Sequence, residues 1–152
     1  MQESNFTIEN DILHFVYKGS DMLIDLTQLE TMSLYQNLVV FVDNGKVKSF
    51  PHSCFDLREL TFQLMDNPNF MVCGRRLVVN MNLVKSIYIE RDKDSIVERY
   101  EDGLGISDKH NVVLTFVNER REYIRTNSWR EAERLYHDID EKLTDLRNAQ
   151  IV

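Results

Sequence analysis

The sequence predicts a mainly β fold with short helices, an α+β arrangement that ends in an amphipathic helix. From Asp11 to Val47, short runs of β-forming residues follow one another and are separated by turn residues. Helical periodicity is confined to one short segment in the middle and one long segment near the C-terminus. Of the 152 residues, 43% are apolar and 10% are aromatic, which excludes general disorder and suffices for one sizeable core. We therefore expect residues 1–152 to form a single domain.

The N-terminal part is predicted to consist of strands at 12–17, 22–25, 29–34 and 38–42, with a turn at 19–21. Asp43-Asn44-Gly45 follows the fourth of these strands, and its residues tolerate positive φ angles. We expect a hairpin there, in which residues 46–50 run back beside 38–42.

A short helix is predicted after this hairpin. Ser53 and Asp56 have the spacing of a capping box, so we expect Ser53 to begin the helix. The helix should end by Pro68, which cannot continue it. Its apolar positions recur at helical spacing: Leu57, Leu60, Leu64 and Met65.

Two adjacent arginines follow, between apolar runs. Residues 70–87 are rich in β-forming residues, but Gly74 and the 80–82 step are turn material, so a short buried strand should bend at both ends. Arg75 and Arg76 would then project from a fixed position. Such a pair can hold phosphates or a base edge; the alternative is that both are solvated or ion-paired.

The last third begins with a charged insertion at 90–110, which we expect to be a long loop or an extended hairpin. A strand at 111–117 with a return partner at 122–125 follows. Ser128 and Glu131 form a second capping box, which opens a helix at 127–148. Its apolar stripe should dock on the sheet or build a homodimer, and we expect Trp129 to be a core residue. The stripe consists of Ala132, Leu135, Tyr136, Ile139, Leu143 and Leu146.

The charge distribution limits the classes of partner. A net charge of -7 argues against indiscriminate binding to nucleic acids, which requires neutralisation of phosphates. However, residues 46–91 carry seven Lys and Arg against four Asp and Glu. A local basic surface is therefore expected on an acidic protein. A second basic stretch contains Arg120, Arg121, Arg125, Arg130 and Arg134.

Several classes of site lack support in the sequence. No apolar run reaches the ~18 residues of a membrane span and no secretory signal is present, so we expect a cytoplasmic protein that does not contact a membrane. Cys54 and Cys73 lack metal-site spacing and should be free thiols. His52 lies near Cys54, but neither a third ligand nor an orienting acid stands at useful spacing, so both should be structural. We expect no enzyme activity, no metal and no cofactor, and we expect the acidic side chains of 90–110 to be solvated.

The order of these elements resembles the LytTR domain, the DNA-binding module of bacterial regulators of virulence, bacteriocin and competence genes. The resemblance covers residues 11–125. Its specific part is a Leu-rich helix that ends in Asn67-Pro-Asn-Phe70, followed by Leu77-Val-Val-Asn80. The corresponding family pattern is "DP.F" and then "F.RVHRSYIVN".

The resemblance implies small antiparallel sheets whose loops, rather than a recognition helix, enter successive major grooves. Carried over position by position, it implies DNA contacts from Gln36 or Asn37, from Arg75 with Arg76, and from Arg125. Arginine can bind guanine O6 and N7 with two hydrogen bonds, and Asn or Gln can read adenine. Arg125 has the alternative roles of neutralising Glu122 or stabilising the entry to the last helix.

The sequence departs from the family pattern in four respects, of which one is a C-terminal helix that extends beyond the usual end of the domain. Val72-Cys-Gly-Arg-Arg76 stands where the family has Arg-Val-His-Arg-Ser, the 90–110 segment is longer and more acidic, and 152 residues leave no room for a receiver domain of ~120. The expected function is a transcriptional regulator without a receiver domain that binds repeats in double-stranded promoter DNA, alone or under a regulatory partner. The alternative is a LytTR-like protein-interaction module with a degenerate DNA surface that modulates another regulator.

Overall fold

The computed structural model describes residues 6–74, 76–91, 97–100, 103–106 and 109–151, with only the backbone at 97–100, 103–106 and 150–151. The chain divides into two compact units, residues 1–83 and residues 84–152. Both are built mainly of antiparallel strands, which confirms the predicted mainly β class. That the chain is one domain stays a prediction.

The described residues of the first unit form eight strands and one α-helix. In chain order these are β1 (Phe6–Glu9), β2 (Ile12–Tyr17), β3 (Ser20–Asp25), β4 (Leu29–Leu34), β5 (Leu38–Asp43), β6 (Lys46–Pro51), α1 (Leu57–Met65), β7 (Phe70–Cys73) and β8 (Leu77–Asn80). Single 3-10 turns lie at His52–Cys54 and Met81–Leu83.

These strands form two antiparallel sheets. The first has three strands in the order β1-β2-β3, and the second has five in the order β6-β5-β4-β8-β7. The predicted pairing of 46–50 with 38–42 is confirmed, and so is the short buried strand at 77–80. Strand β1 was not predicted, because four residues are too few for a clear alternating pattern.

Three hairpins turn through pairs of residues with positive φ, as tight two-residue hairpin turns require. The pair Asn44 and Gly45 confirms the predicted turn. The turn between β2 and β3 uses Lys18 and Gly19. The prediction that placed it at 19–21 was therefore wrong by one residue, and β3 begins at Ser20 rather than at Met22.

The N-cap of α1 is Asp56, whose side chain accepts a hydrogen bond from the Glu59 backbone N–H at 3.2 Å. The prediction that Ser53 begins this helix was wrong, because residues 52–54 form a separate 3-10 turn. The helix ends at Met65, before Pro68, and buries Leu60 and Leu64.

One hydrophobic core joins the two sheets and α1 within the first unit. Phe15 of β2 lies at its centre, with its ring centroid 4.8 Å from that of Phe50 and 4.6 Å from that of Phe55. Leu60 and Leu64 of α1 belong to the same cluster. Burial of these large apolar side chains supplies most of the driving force that holds the sheets together.

Within the part of the second unit that the structure describes, there are five strands and a long helix. They are β9 (Val84–Arg91), β10 (Val97–Tyr100), β11 (Gly103–Ile106), β12 (His110–Phe116), β13 (Arg121–Thr126) and α2 (Trp129–Ile151). Strand β12 is the central strand of a sheet in the order β13-β12-β9, and β10 pairs with β11. The charged insertion thus contains a hairpin, one of the two predicted alternatives, but its side chains at 92–108 lie outside the described part of the chain.

Helix α2 packs on the sheet of its own unit. Ala132, Ile139 and Leu143 of the predicted stripe are buried, and the helix contacts β9, β12 and β13. The predicted capping box is present: the Ser128 hydroxyl accepts from the Glu131 N–H at 3.1 Å, and the Glu131 carboxylate accepts from the Asn127 N–H at 3.1 Å.

Trp129 is not a core residue, which corrects the sequence prediction. Its side chain is 47% exposed and lies edge-on to the His110 ring, with 5.2 Å between the centroids. As the first residue of α2 it lies at the margin of the covered sheet, where only part of a large ring can be buried. Across the described residues, no helix has the length and apolar character needed to span a membrane.

Candidate nucleic-acid interface

Two turns meet at one end of the five-stranded sheet. The β4–β5 turn comprises residues 35–37, and the β7–β8 turn comprises residues 74–76. Strands β4 and β8 are paired neighbours, and the Leu34 N–H donates to the carbonyl oxygen of Arg76 at 2.9 Å. Gln36, Asn37 and Arg76, which the sequence predicts as contact residues, are therefore carried by adjacent turns.

His52 holds the β4–β5 turn from the side of β6. Its backbone N–H donates to the Asn37 carbonyl oxygen at 3.1 Å, and its ring Nε2 lies 3.0 Å from the Leu38 carbonyl oxygen. Since a carbonyl oxygen only accepts, Nε2 must carry the proton in this contact. The structural role predicted for His52 is therefore to fix the conformation of the β4–β5 turn.

The side chains of these two turns face solvent. Gln36, Asn37 and Arg76 are all exposed, and Arg76 forms no ion pair with any residue that the structure describes. Tyr35, 58% exposed, stands in the same turn and was missed by the sequence analysis. Its position directly before the predicted contact residues was the signal that could have found it.

The β7–β8 turn directly follows a buried cysteine, Cys73. Gly74 has a φ of 73°, a conformation that favours glycine, which explains why a glycine directly precedes the arginines. Burial raises the pKa of the Cys73 thiol from its usual 9.0 to about 12. Arg75 lies outside the described residues, so its part in the site stays a prediction. Cys54 and Cys73 are both free thiols.

Arg125 belongs to the second unit, on β13. The alternative that it neutralises Glu122 is wrong, because Glu122 is paired with Arg120 at 2.7 Å. The guanidinium of Arg120 also lies over the Phe116 ring, 4.6 Å from its centroid. Arg125 is exposed and has no ion pair within the described part of the chain, nor does it take part in the capping of α2.

The side of the β9–β12–β13 sheet opposite α2 carries further polar and aromatic groups, exposed on its outer strands, that the sequence analysis did not group together. Cross-strand pairing places three rows of side chains on this side, which we call the open face. The rows are Arg125, Asn111 and Glu90; Tyr123, Val113 and Tyr88; and Arg121, Thr115 and Ser86. The opposite side carries Val112, Leu114 and Phe116 and is covered by α2.

Within the described residues, no group of three or more His, Cys, Asp or Glu side chains is placed to hold a metal ion. The exposed polar groups of the two turns and the open face are mainly amides, phenols and guanidinium groups. These groups bind through hydrogen bonds, stacking and charge, which is the chemistry with which proteins contact phosphates and bases.

Structural comparison shows that the fold is that of LytTR DNA-binding domains, as the sequence resemblance implied. A solved structure that matches is the LytTr DNA-binding domain of a Bacillus cereus protein described as a methyl-accepting/DNA response regulator. The match has a TM-score of 0.52 and 14% sequence identity, and it covers 86% of this chain and 97% of that domain. No family model matches the sequence, and no curated protein sequence matches it.

Proposed function

We propose that the protein is a cytoplasmic transcriptional regulator that binds specific sequences in double-stranded DNA through loops, with arginines in the major groove. The observation that carries this proposal is the convergence of Gln36, Asn37 and Arg76 on two hydrogen-bonded turns of a LytTR-type sheet. The solved domain of the same fold is a DNA-binding domain by its own description, which supports the proposal.

The chemistry of the two turns suits recognition of a base edge. An unpaired guanidinium can donate two parallel hydrogen bonds to guanine, and an exposed amide can pair with adenine. Backbone hydrogen bonds join Asn37 to His52 and Arg76 to Leu34, so less conformational entropy would be lost on binding than with a mobile loop. We propose that Arg75 and Arg125 add contacts to bases or phosphates.

The proposal is tested by selecting duplexes from a random pool and measuring the affinity of the best one. Arg76→Ala should weaken binding to the selected duplex by roughly 1–3 kcal/mol if the side chain contacts a guanine. If the Arg76 side chain contacts a phosphate instead, the variant should bind all duplexes more weakly to the same extent. The slope of log K against log salt should then become shallower by about one. Fluorescence anisotropy over a series of salt concentrations distinguishes the two cases.

Arg58→Ala is the matched control, because Arg58 is also an exposed arginine of the first unit but lies on α1. This variant should bind the selected duplex as the parent does. If no duplex is enriched at low salt, or if both variants weaken binding equally, the proposal fails.

A second candidate is an interaction module that modulates another regulator. The observation in its favour is an exposed apolar pair on α1, Phe62 at 71% exposure and Met65 one turn further on. In that case Phe62→Ser would abolish a stoichiometric complex with the regulator, as measured by size-exclusion chromatography, and no duplex would be bound. A homodimer through α2 would have to use its exposed side, since the apolar stripe is already packed on the sheet.

A further inference from the structure

We propose that the open face of the β9–β12–β13 sheet binds single-stranded DNA, with bases stacked on Tyr88 and Tyr123 and phosphates held by Arg121 and Arg125. This is a second activity, on a surface other than the two turns of the first unit. The choice of DNA over RNA rests on the proposed function, which brings the protein to DNA.

The two tyrosines are arranged as a stacking surface. Both pair with Val113 of the central strand, one from each side, so they occupy the same cross-strand row. Two strand spacings separate their Cα atoms, or about 10 Å. Tyr123 is 50% exposed and Tyr88 36% exposed, while Val113 between them is fully buried. Val113 is thus covered by its neighbours, and the two tyrosine rings remain accessible for stacking.

The arginines flank the tyrosines on β13. Arg121 and Arg125 are both exposed and stand one row on either side of Tyr123. The neighbouring Tyr123 side chain, and after it Tyr88, raise the pKa of Arg121. Glu90, at the far end of the Arg125 row, is half-buried. The edge of the face along β13 is therefore its cationic side.

This combination fits a single strand better than a duplex or a protein. Aromatic rings on an open antiparallel sheet can stack only on bases that are not already paired and stacked. Flanking guanidinium groups supply the phosphate contacts that a strand running over the rings requires. The arginines alone would also suit the acidic surface of a second copy of this chain, with its net charge of -7. The two tyrosines beside them are what favours nucleic-acid bases.

The test is binding of a fluorescein-labelled thymine oligonucleotide of about ten nucleotides, a length within the usual site size for one such surface. Tyr123→Leu and Tyr88→Leu should each weaken binding roughly fivefold to a hundredfold, whereas Tyr123→Phe should stay within about twofold because it keeps the ring. Arg121→Gln should weaken binding and reduce its salt dependence. An abasic oligonucleotide of equal length should bind as poorly to the parent as the thymine oligonucleotide binds to the leucine variants.

Phe62→Leu is the matched control, since it removes an exposed aromatic ring from the first unit, and it should bind normally. Arg76→Ala should weaken duplex binding but leave single-strand binding unchanged, so the two activities are tested independently of each other. Equal binding of the abasic strand, or undiminished binding by both leucine variants, would overturn the proposal. Tighter binding of the matching RNA would overturn the choice of DNA.

Discussion

Asn80 ends β8 and is buried, with only 2% of its surface exposed. Its Nδ2 donates to the carbonyl oxygen of Leu26 at 3.2 Å, and its Oδ1 accepts from the Asn82 N–H at 3.1 Å. One side chain thus joins segments that are 54 residues apart and also shapes the turn that follows β8. The asparagine of the family-like Leu77-Val-Val-Asn80 run has a structural role in this protein.

Asn80→Ala should lower the free energy of unfolding by roughly 2–4 kcal/mol, because it removes both hydrogen bonds of a buried side chain. Urea unfolding followed by circular dichroism measures the change. Asn148→Ala, at an exposed position of α2, should change stability by less than about 0.5 kcal/mol. A loss below about 1 kcal/mol for Asn80→Ala would mean that the two hydrogen bonds are not made.

At the residue scale, the sequence predicted which residues lie in turns better than it predicted the contacts that their side chains make. It predicted that residues 80–82 are turn material, which is correct, but the buried hydrogen bond of Asn80 to Leu26 depends on a segment far away in the chain. The same holds for the arginines in and next to β13. Whether Arg120 or Arg125 meets Glu122 depends on side-chain geometry around Phe116, which no local pattern contains.

At the scale of secondary-structure elements, two separate features of the sequence specify α2. Its start is determined locally by the capping box, and its orientation is determined by the buried stripe that packs on the sheet. Both were predicted, because both depend on residues within a few turns of each other. The start of α1 was mispredicted because the hydrogen bond from His52 to Asn37 belongs to the tertiary structure and holds residues 52–54 outside the helix.

Ile139→Ala should destabilise the protein by roughly 2–5 kcal/mol, since Ile139 is fully buried against the sheet and its removal leaves a cavity. Leu146→Ala, at a half-buried position of the same stripe, should cost less than half as much. Chemical unfolding followed by the fluorescence of Trp129, the single tryptophan, reports on this unit. Equal and small effects of both variants would show that α2 is not docked as described.

At the scale of the whole molecule, an acidic protein is proposed to bind a polyanion. Its net charge of -7 suppresses binding to arbitrary DNA, so affinity has to come from a few correctly placed cations. For duplex binding we propose that these are Arg75, Arg76 and Arg125. The sequence predicted this distribution of charge, but it could not predict which exposed arginines lie without ion pairs.

The salt dependence of duplex binding should therefore be shallow. Three phosphate contacts give a slope of log K against log salt of about -3 for each bound chain. Anisotropy titrations of the selected duplex over a range of potassium chloride concentrations measure this slope. A slope steeper than about -6 would require more cations than the proposed surface provides, and a slope near zero would mean that no phosphate is neutralised.

The tight turn between β12 and β13 determines which residues of β13 meet solvent. Phe116 and Arg120 are joined across this turn by a 2.8 Å hydrogen bond, and Glu119 within it has a φ of 72°. Because side chains alternate along a strand, inserting or deleting one residue here would turn Arg121, Tyr123 and Arg125 inward and bring Glu122, Ile124 and Thr126 to the surface. A change in loop length alone would therefore convert a cationic, aromatic surface into an anionic, aliphatic one. The chemistry of this surface thus depends on strand register as much as on residue identity.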